Sequence, residues 1–202
     1  MGYIIALKKT VKAALAKRGI KDPGIELSEE FGDKLRKGLR ELAASKDPVV
    51  KTLGERALAM ARTQIGVKEQ PPGSNSGPQV TVYQKTTGAY REPWCASFAK
   101  WSYKAVGATP AQLSRATADV TTWLAYAHVS LGVVRAGDLV IYNWDGGDVD
   151  HIGLFDHWAT KGSELVACEG NTSESGSQSN GGEVMLRTRA VNLVAAFVRI
   201  PT

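Results

Sequence analysis

Apolar residues recur every three or four positions through the first half of the chain and gather into short dense runs in the second. Ile4, Leu7, Val11, Ala14 and Leu15 make one stripe of a helix over 3–17, with lysines on much of the other face. After the Asp22-Pro23-Gly24 turn, Ser28 caps a second helix that carries Glu29 and Glu30 in its first turn and Phe31, Leu35, Leu39 and Leu42 on its apolar side. Two such helices bury little surface alone. Residues 1–46 are therefore expected to form a small basic helical module, and 47–202 the main domain. Asp47-Pro48 predicts the start of a helix running through Leu53, Ala57, Met60 and Ala61 to about Ile65. Residues 71–78 are a loop by composition, and Val80 to Gln84 fit a strand or a helix start equally. Trp94, Phe98, Trp101, Ala105 and Val106 predict a helix that stops at Gly107, and a weaker helix is expected over 118–127. Strands follow at Leu139–Tyr142, Ile152–Phe155, Leu165–Cys168, Val184–Leu186 and Val194–Ile200, with a Ser/Asn/Gly-rich loop over 170–182.

Helices first and strands afterwards argue for an α+β fold, with helices packed on an antiparallel sheet. The 202 residues suffice for one ordinary domain of ~150 residues and a short extra piece. With 43% apolar and 22% charged residues, the composition excludes wholesale disorder, collagen and coiled coil. No apolar run reaches the ~20 residues that span a bilayer, so no stable membrane insertion is expected. Lys8 and Lys9 end the Tyr3–Leu7 apolar stretch before it attains the length of a signal-peptide core, and synthesis in the cytoplasm without Sec export is expected. The net charge of +5 is concentrated in residues 1–50, where eleven basic residues face seven acidic ones. Such a segment suits a polyanion, or equally a solvated helix surface. No base-reading motif supports specific nucleic-acid binding. The sequence carries no signal for an oligomeric state.

Cys95 and Cys168 are too few for a disulfide scaffold, lack zinc-site spacing and form no Cys-x-x-Cys pair. Cys95 falls in the first turn of its predicted helix, where unpaired N–H groups and the helix dipole favour a thiolate. An imidazole is needed to take the thiol proton and return it to a leaving amine. Of the three histidines, His128 ends the weaker predicted helix, His151 opens a strand, and His157 lies ~20 Å further along that strand and faces solvent. Glu169 and Asn171, two residues apart, share a strand face and are candidates to orient the ring, with Cys168 facing the other way. Taken singly, each residue has a structural explanation, since a cysteine beside Trp94 and Phe98 is commonly just buried. The ordered set of helix-borne Cys, strand-borne His, and a carboxylate and amide on the next strand outweighs those separate explanations.

The sequence over about 57–200 resembles the CHAP family of cysteine, histidine-dependent amidohydrolases and peptidases found in phage endolysins and bacterial autolysins. The matching segments, in family order, are Glu92-Pro93-Trp94-Cys95-Ala96-Ser97-Phe98 with Trp101, Ala136-Gly137-Asp138-Leu139-Val140, Asp150-His151-Ile152-Gly153-Leu154 and Cys168-Glu169-Gly170-Asn171. The resemblance implies a papain-like fold, Cys95 as nucleophile, His151 as base, and Glu169 and Asn171 as groups orienting the imidazole. It also implies a peptidoglycan substrate, cut either as an N-acetylmuramoyl-L-alanine amidase or as an endopeptidase. An endolysin reaches the wall through a separately made membrane hole, which accords with the absent export signal. Phe31-Gly32-Asp33-Lys34 resembles, over a short stretch, a wall-binding helical module.

Some CHAP enzymes hold calcium in an aspartate-rich loop before the nucleophile. Residues 84–93 offer Glu92 alone as an acidic side chain, so neither a metal nor another cofactor is expected. Asp145, Asp148 and Asp150 read as a solvated acidic turn. Trp144 is a candidate for stacking on sugar, with burial the expected state. The alternative function is a catalytically silent wall-binding or tail-associated protein that keeps the fold.

Overall fold

The computed structural model describes residues 52–175, 177 and 180–202. The helices expected within 1–46, and the boundary near Asp47, lie outside the described residues. Helix α1 spans Leu53–Arg62 and ends before the expected Ile65, while the start expected at Asp47-Pro48 lies outside the described residues. Its start is fixed by a capping box: Glu55 N–H donates to Thr52 Oγ1 at 3.2 Å, and Thr52 N–H donates to Glu55 Oε2 at 2.8 Å. Residues 78–84 resolve as helix α2 (Pro78–Gln84), begun by a proline whose missing N–H costs nothing at a first helical position.

Helix α3 spans Cys95–Ala105 and is buried nearly all round, with Lys100 and Lys104 emerging to solvent. Its buried hydroxyls are satisfied locally. Ser102 Oγ donates to the Phe98 carbonyl at 2.9 Å, and Ser97 Oγ lies 2.6 Å from Thr87 Oγ1. Tyr83 of α2 packs on Trp94, Phe98 and Trp101, with ring centroids 5.6, 5.2 and 5.0 Å away.

The helix expected over 118–127 is a 3-10 turn at Val120–Ala125, followed by the short strand β1 (Ala127–His128). Local side-chain bonds compete with the helix there. Asp119 Oδ1 accepts from Thr121 N–H at 2.8 Å, and Thr122 Oγ1 donates to the Asp119 carbonyl at 2.8 Å. His128 is accordingly a strand residue rather than a helix end.

Strands β2 (Leu139–Tyr142), β3 (His151–Thr160), β4 (Glu164–Thr172), β5 (Glu183–Ala190) and β6 (Val194–Arg199) join β1 in a six-stranded antiparallel sheet of order β1-β6-β2-β3-β4-β5. Strand β4 runs through Thr172, so the loop expected from 170 begins three residues later. The chain is thus α+β, as its order of elements implied. The helical face of the sheet buries Ile141, Ile152, Leu154, Cys168, Val184 and Val198. Val140, Tyr142, Phe155, Leu165, Ala167 and Phe197 form a second core on the opposite face, partly covered by Trp144 and Trp158. Close seating of α3 on β4 requires Gly170, where a Cβ would lie 2.7 Å from Phe98 Cβ and 2.8 Å from Trp94 Cζ3.

Candidate active site

Cys95 is the first residue of α3, preceded by Trp94 as N-cap, so its sulfur sits where the helix presents amides with no intrahelical acceptor. The side chain is buried, at 3% exposure. Trp94 is held by donation from its Nε1–H to Glu69 Oε1 at 2.9 Å, and Glu69 N–H donates in turn to the Gly182 carbonyl. These contacts tie the segment before Cys95 to the chain that enters β5.

His151 opens β3, paired with Tyr142 of β2, and is fully buried. Its Nε2 lies 3.1 Å from Glu169 Oε2. The other ring nitrogen, Nδ1, is buried and closes no hydrogen bond among the described residues. Burial, the largest influence, would depress the imidazole pKa. The charge and hydrogen-bonding capacity of Cys95, followed by those of Glu169, outweigh it and raise the value from 6.5 to about 9. The ring therefore favours the imidazolium form beside the sulfur.

Glu169 is buried and anchored from two sides. Arg189 of β5 donates from Nε to Oε1 at 3.0 Å and from a terminal nitrogen to Oε2 at 2.6 Å. Burial would raise the carboxyl pKa, but the bonds and charges of His151 and Arg189 prevail and lower it to about 2. Gly153, opposite Glu169 in the β3–β4 ladder, leaves the room this carboxylate needs, since a Cβ there would stand 2.7 Å from Glu169 Cγ.

Asn171 lies at the same end of β4, past a register irregularity and at a positive φ of 57°, which asparagine tolerates better than most residues. Its Nδ2 donates to Asn180 Oδ1 at 3.2 Å, Oδ1 accepts from Gly182 N–H at 3.2 Å, and its carbonyl accepts from Gly181 N–H. These bonds fasten the 173–182 loop to the strand, while Glu169 occupies the Nε2 side of the imidazole. Cys168 faces the helical core, where burial, then the charges of Asp156 and Glu169, push its thiol far above the usual range. His157 is 59% exposed at its side chain and contacts Asp156 Oδ1 at 2.7 Å through Nδ1. His128 is exposed, with Nε2 2.9 Å from the Leu124 carbonyl.

Trp144 is half-buried. It stacks on Tyr142 with centroids 4.8 Å apart and carries the Arg189 guanidinium over its ring at 4.9 Å. The acidic turn serves the backbone: Asp145 Oδ1 accepts from Gly147 N–H and Asp150 Oδ2 accepts from Trp144 N–H.

Arg189 and Glu69 escaped sequence reasoning. Arg189 sits on an edge strand opposite Leu165, four residues from the alignment of Glu169, and nothing short of the register reveals that a long side chain links them. No protein-family model matches the chain, and no curated protein matches it.

Proposed function

We propose that the chain is a cysteine amidohydrolase that cleaves an amide bond of bacterial peptidoglycan. The observation that carries the chemistry is the buried series Cys95, His151 and Glu169, a thiol at a helix start and an imidazole whose Nε2 meets a carboxylate. The wall substrate and the assignment to a papain-like CHAP fold rest on the four motifs that resemble that family. The α+β architecture and the positions of the four motif segments are compatible with it.

In the proposed cycle, His151 holds the Cys95 proton and the thiolate attacks the amide carbon. First-turn amides of α3, with Cys95 N–H foremost, stabilise the tetrahedral oxyanion. The imidazolium then gives its proton to the departing amine, and C–N cleavage leaves a thioester on Cys95. A water molecule, deprotonated by His151, hydrolyses the thioester and regenerates the thiol. Glu169 keeps the ring oriented and charged at the moment of attack. Asn171 is the second group that the family resemblance assigns to orienting the ring, and it also fastens the loop that leaves β4.

Digestion of purified sacculi followed by mass spectrometry tests the proposal. The protein is expected to release fragments bearing either free lactyl groups, from an amidase, or new peptide amines, from an endopeptidase. Cys95→Ala is expected to release neither, with at least a ~10^3-fold loss of rate. Equal release by Cys95→Ala, or none by the intact protein, refutes the assignment.

A further inference from the structure

We propose that Arg189 is a positioning residue for the His151–Glu169 pair, clamping the carboxylate and drawing off part of its charge so that the imidazolium can release its proton. The inference rests on the cysteine–histidine reading above and adds a fourth member to it.

The two cations compete for one oxygen. Glu169 Oε2 meets His151 Nε2 at 3.1 Å and the Arg189 terminal nitrogen at 2.6 Å, so the shorter charge-assisted bond belongs to arginine. Oε1 is taken by Arg189 Nε at 3.0 Å, which completes a two-pronged grip on the carboxylate and fixes its plane. Arg189 is itself immobilised. It donates to Thr172 Oγ1 at 3.0 Å and lies over the Trp144 and Tyr142 rings, at 4.9 and 5.9 Å. Its side chain is 6% exposed, so this is an interior ion pair little screened by water.

The charge balance explains what the clamp does. The groups facing His151 are Cys95 from α3, Glu169 from β4, Tyr142 from β2 and, through Glu169, Arg189 from β5; the neighbouring Asp150 carboxylate is turned to the Trp144 amide. With Cys95 ionised and His151 protonated, two anions and two cations sum to zero. Without Arg189 the same enclosed set carries one excess negative charge, and the imidazolium is held too firmly to act as an acid toward a leaving amine. A residue that merely staples β5 to β4 changes stability but leaves the histidine's protonation where it was.

The test follows the rate of Cys95 alkylation by iodoacetate against pH, read by peptide mass mapping, because this anionic reagent slows when the imidazolium loses its proton. For Arg189→Met the alkaline limb is expected at least about one pH unit above that of the intact protein. Arg189→Lys, which keeps the charge, is expected to hold the limb in place. Arg189→Gln, with a donor but no charge, is expected to follow Met and supplies the reading if Met does not fold. A folded neutral variant whose limb matches the intact protein overturns the proposal, as does a Lys variant whose limb moves by a full pH unit. If Cys95 of the intact protein alkylates as an ordinary thiol, unchanged by His151→Ala, the cysteine–histidine reading falls and this proposal with it. A His151-dependent profile that Arg189→Met leaves unmoved refutes the role of Arg189 alone.

Discussion

Replacing Cys95 with alanine removes the sulfur and leaves the rest of the His151 surroundings in place. The imidazole value of about 9, against 6.5 for a free ring, corresponds to ~3 kcal/mol in favour of the charged form. Opposite unit charges ~4 Å apart are worth ~4 kcal/mol at an effective dielectric constant of about 20. Cys95, first among the influences that raise the value, is thus large enough to supply the net rise, while burial takes part of it back and Glu169 adds to it. In Cys95→Ala, the ring is expected to titrate at least about one pH unit lower than in the intact protein. Heteronuclear NMR of the imidazole carbons measures this directly, with exposed His128 and His157 assigned by substitution. A His151 that titrates at the same pH in both proteins shows that the sulfur does not act on the ring, and the reasoning behind the nucleophile fails.

Glu169 has a depressed value, about 2 against 4.5, so its contribution to stability is present above pH 4.5 and is lost as pH falls through about 2. That contribution is ~3 kcal/mol, and Glu169→Gln is expected to flatten the fall in urea midpoint between pH 5 and 2. The same variant is expected to be less stable than the intact protein at pH 7, because it strands the Arg189 charge in the interior; urea midpoints that coincide for the two proteins at every pH would contradict both expectations. Gly170→Ala inserts a methyl group 2.7 Å from Phe98 Cβ and Cγ, which drives α3 away from β4. A loss of ~1–3 kcal/mol and slower Cys95 alkylation are expected, and an unchanged melting temperature with unchanged alkylation would show that the seating of α3 does not matter.

Much of the site is legible along the chain because it is built from local patterns. The apolar spacing from Phe98 to Ala105 requires a helix, and Pro93-Trp94 before it sets Cys95 at its start. Dense apolar runs require strands, and His151 and Glu169 fall at strand positions whose alternation turns them away from the core that buries Ile152 and Cys168. Where local signals conflict, the pattern misleads. Apolar residues over 118–127 suggest a helix, yet Asp119 and the threonines bond to nearby backbone and leave a 3-10 turn and a strand. Asn171 has the alternation of an imidazole partner, and past the irregularity after Glu169, at a positive φ, its side chain also bonds Asn180 and Gly182, contacts that alternation does not reveal.

The sequence by itself determined the order of helices before strands, the helix-start thiol and the strand-borne imidazole and carboxylate, because each depends on neighbours within a few residues. Only the tertiary structure decided that Arg189 grips Glu169, that Glu69 anchors Trp94, and that Gly153 and Gly170 are the openings through which these groups meet. Those contacts depend on strand register and on close approach between layers. Charge energies in a buried site vary steeply with separations that no one-dimensional pattern encodes.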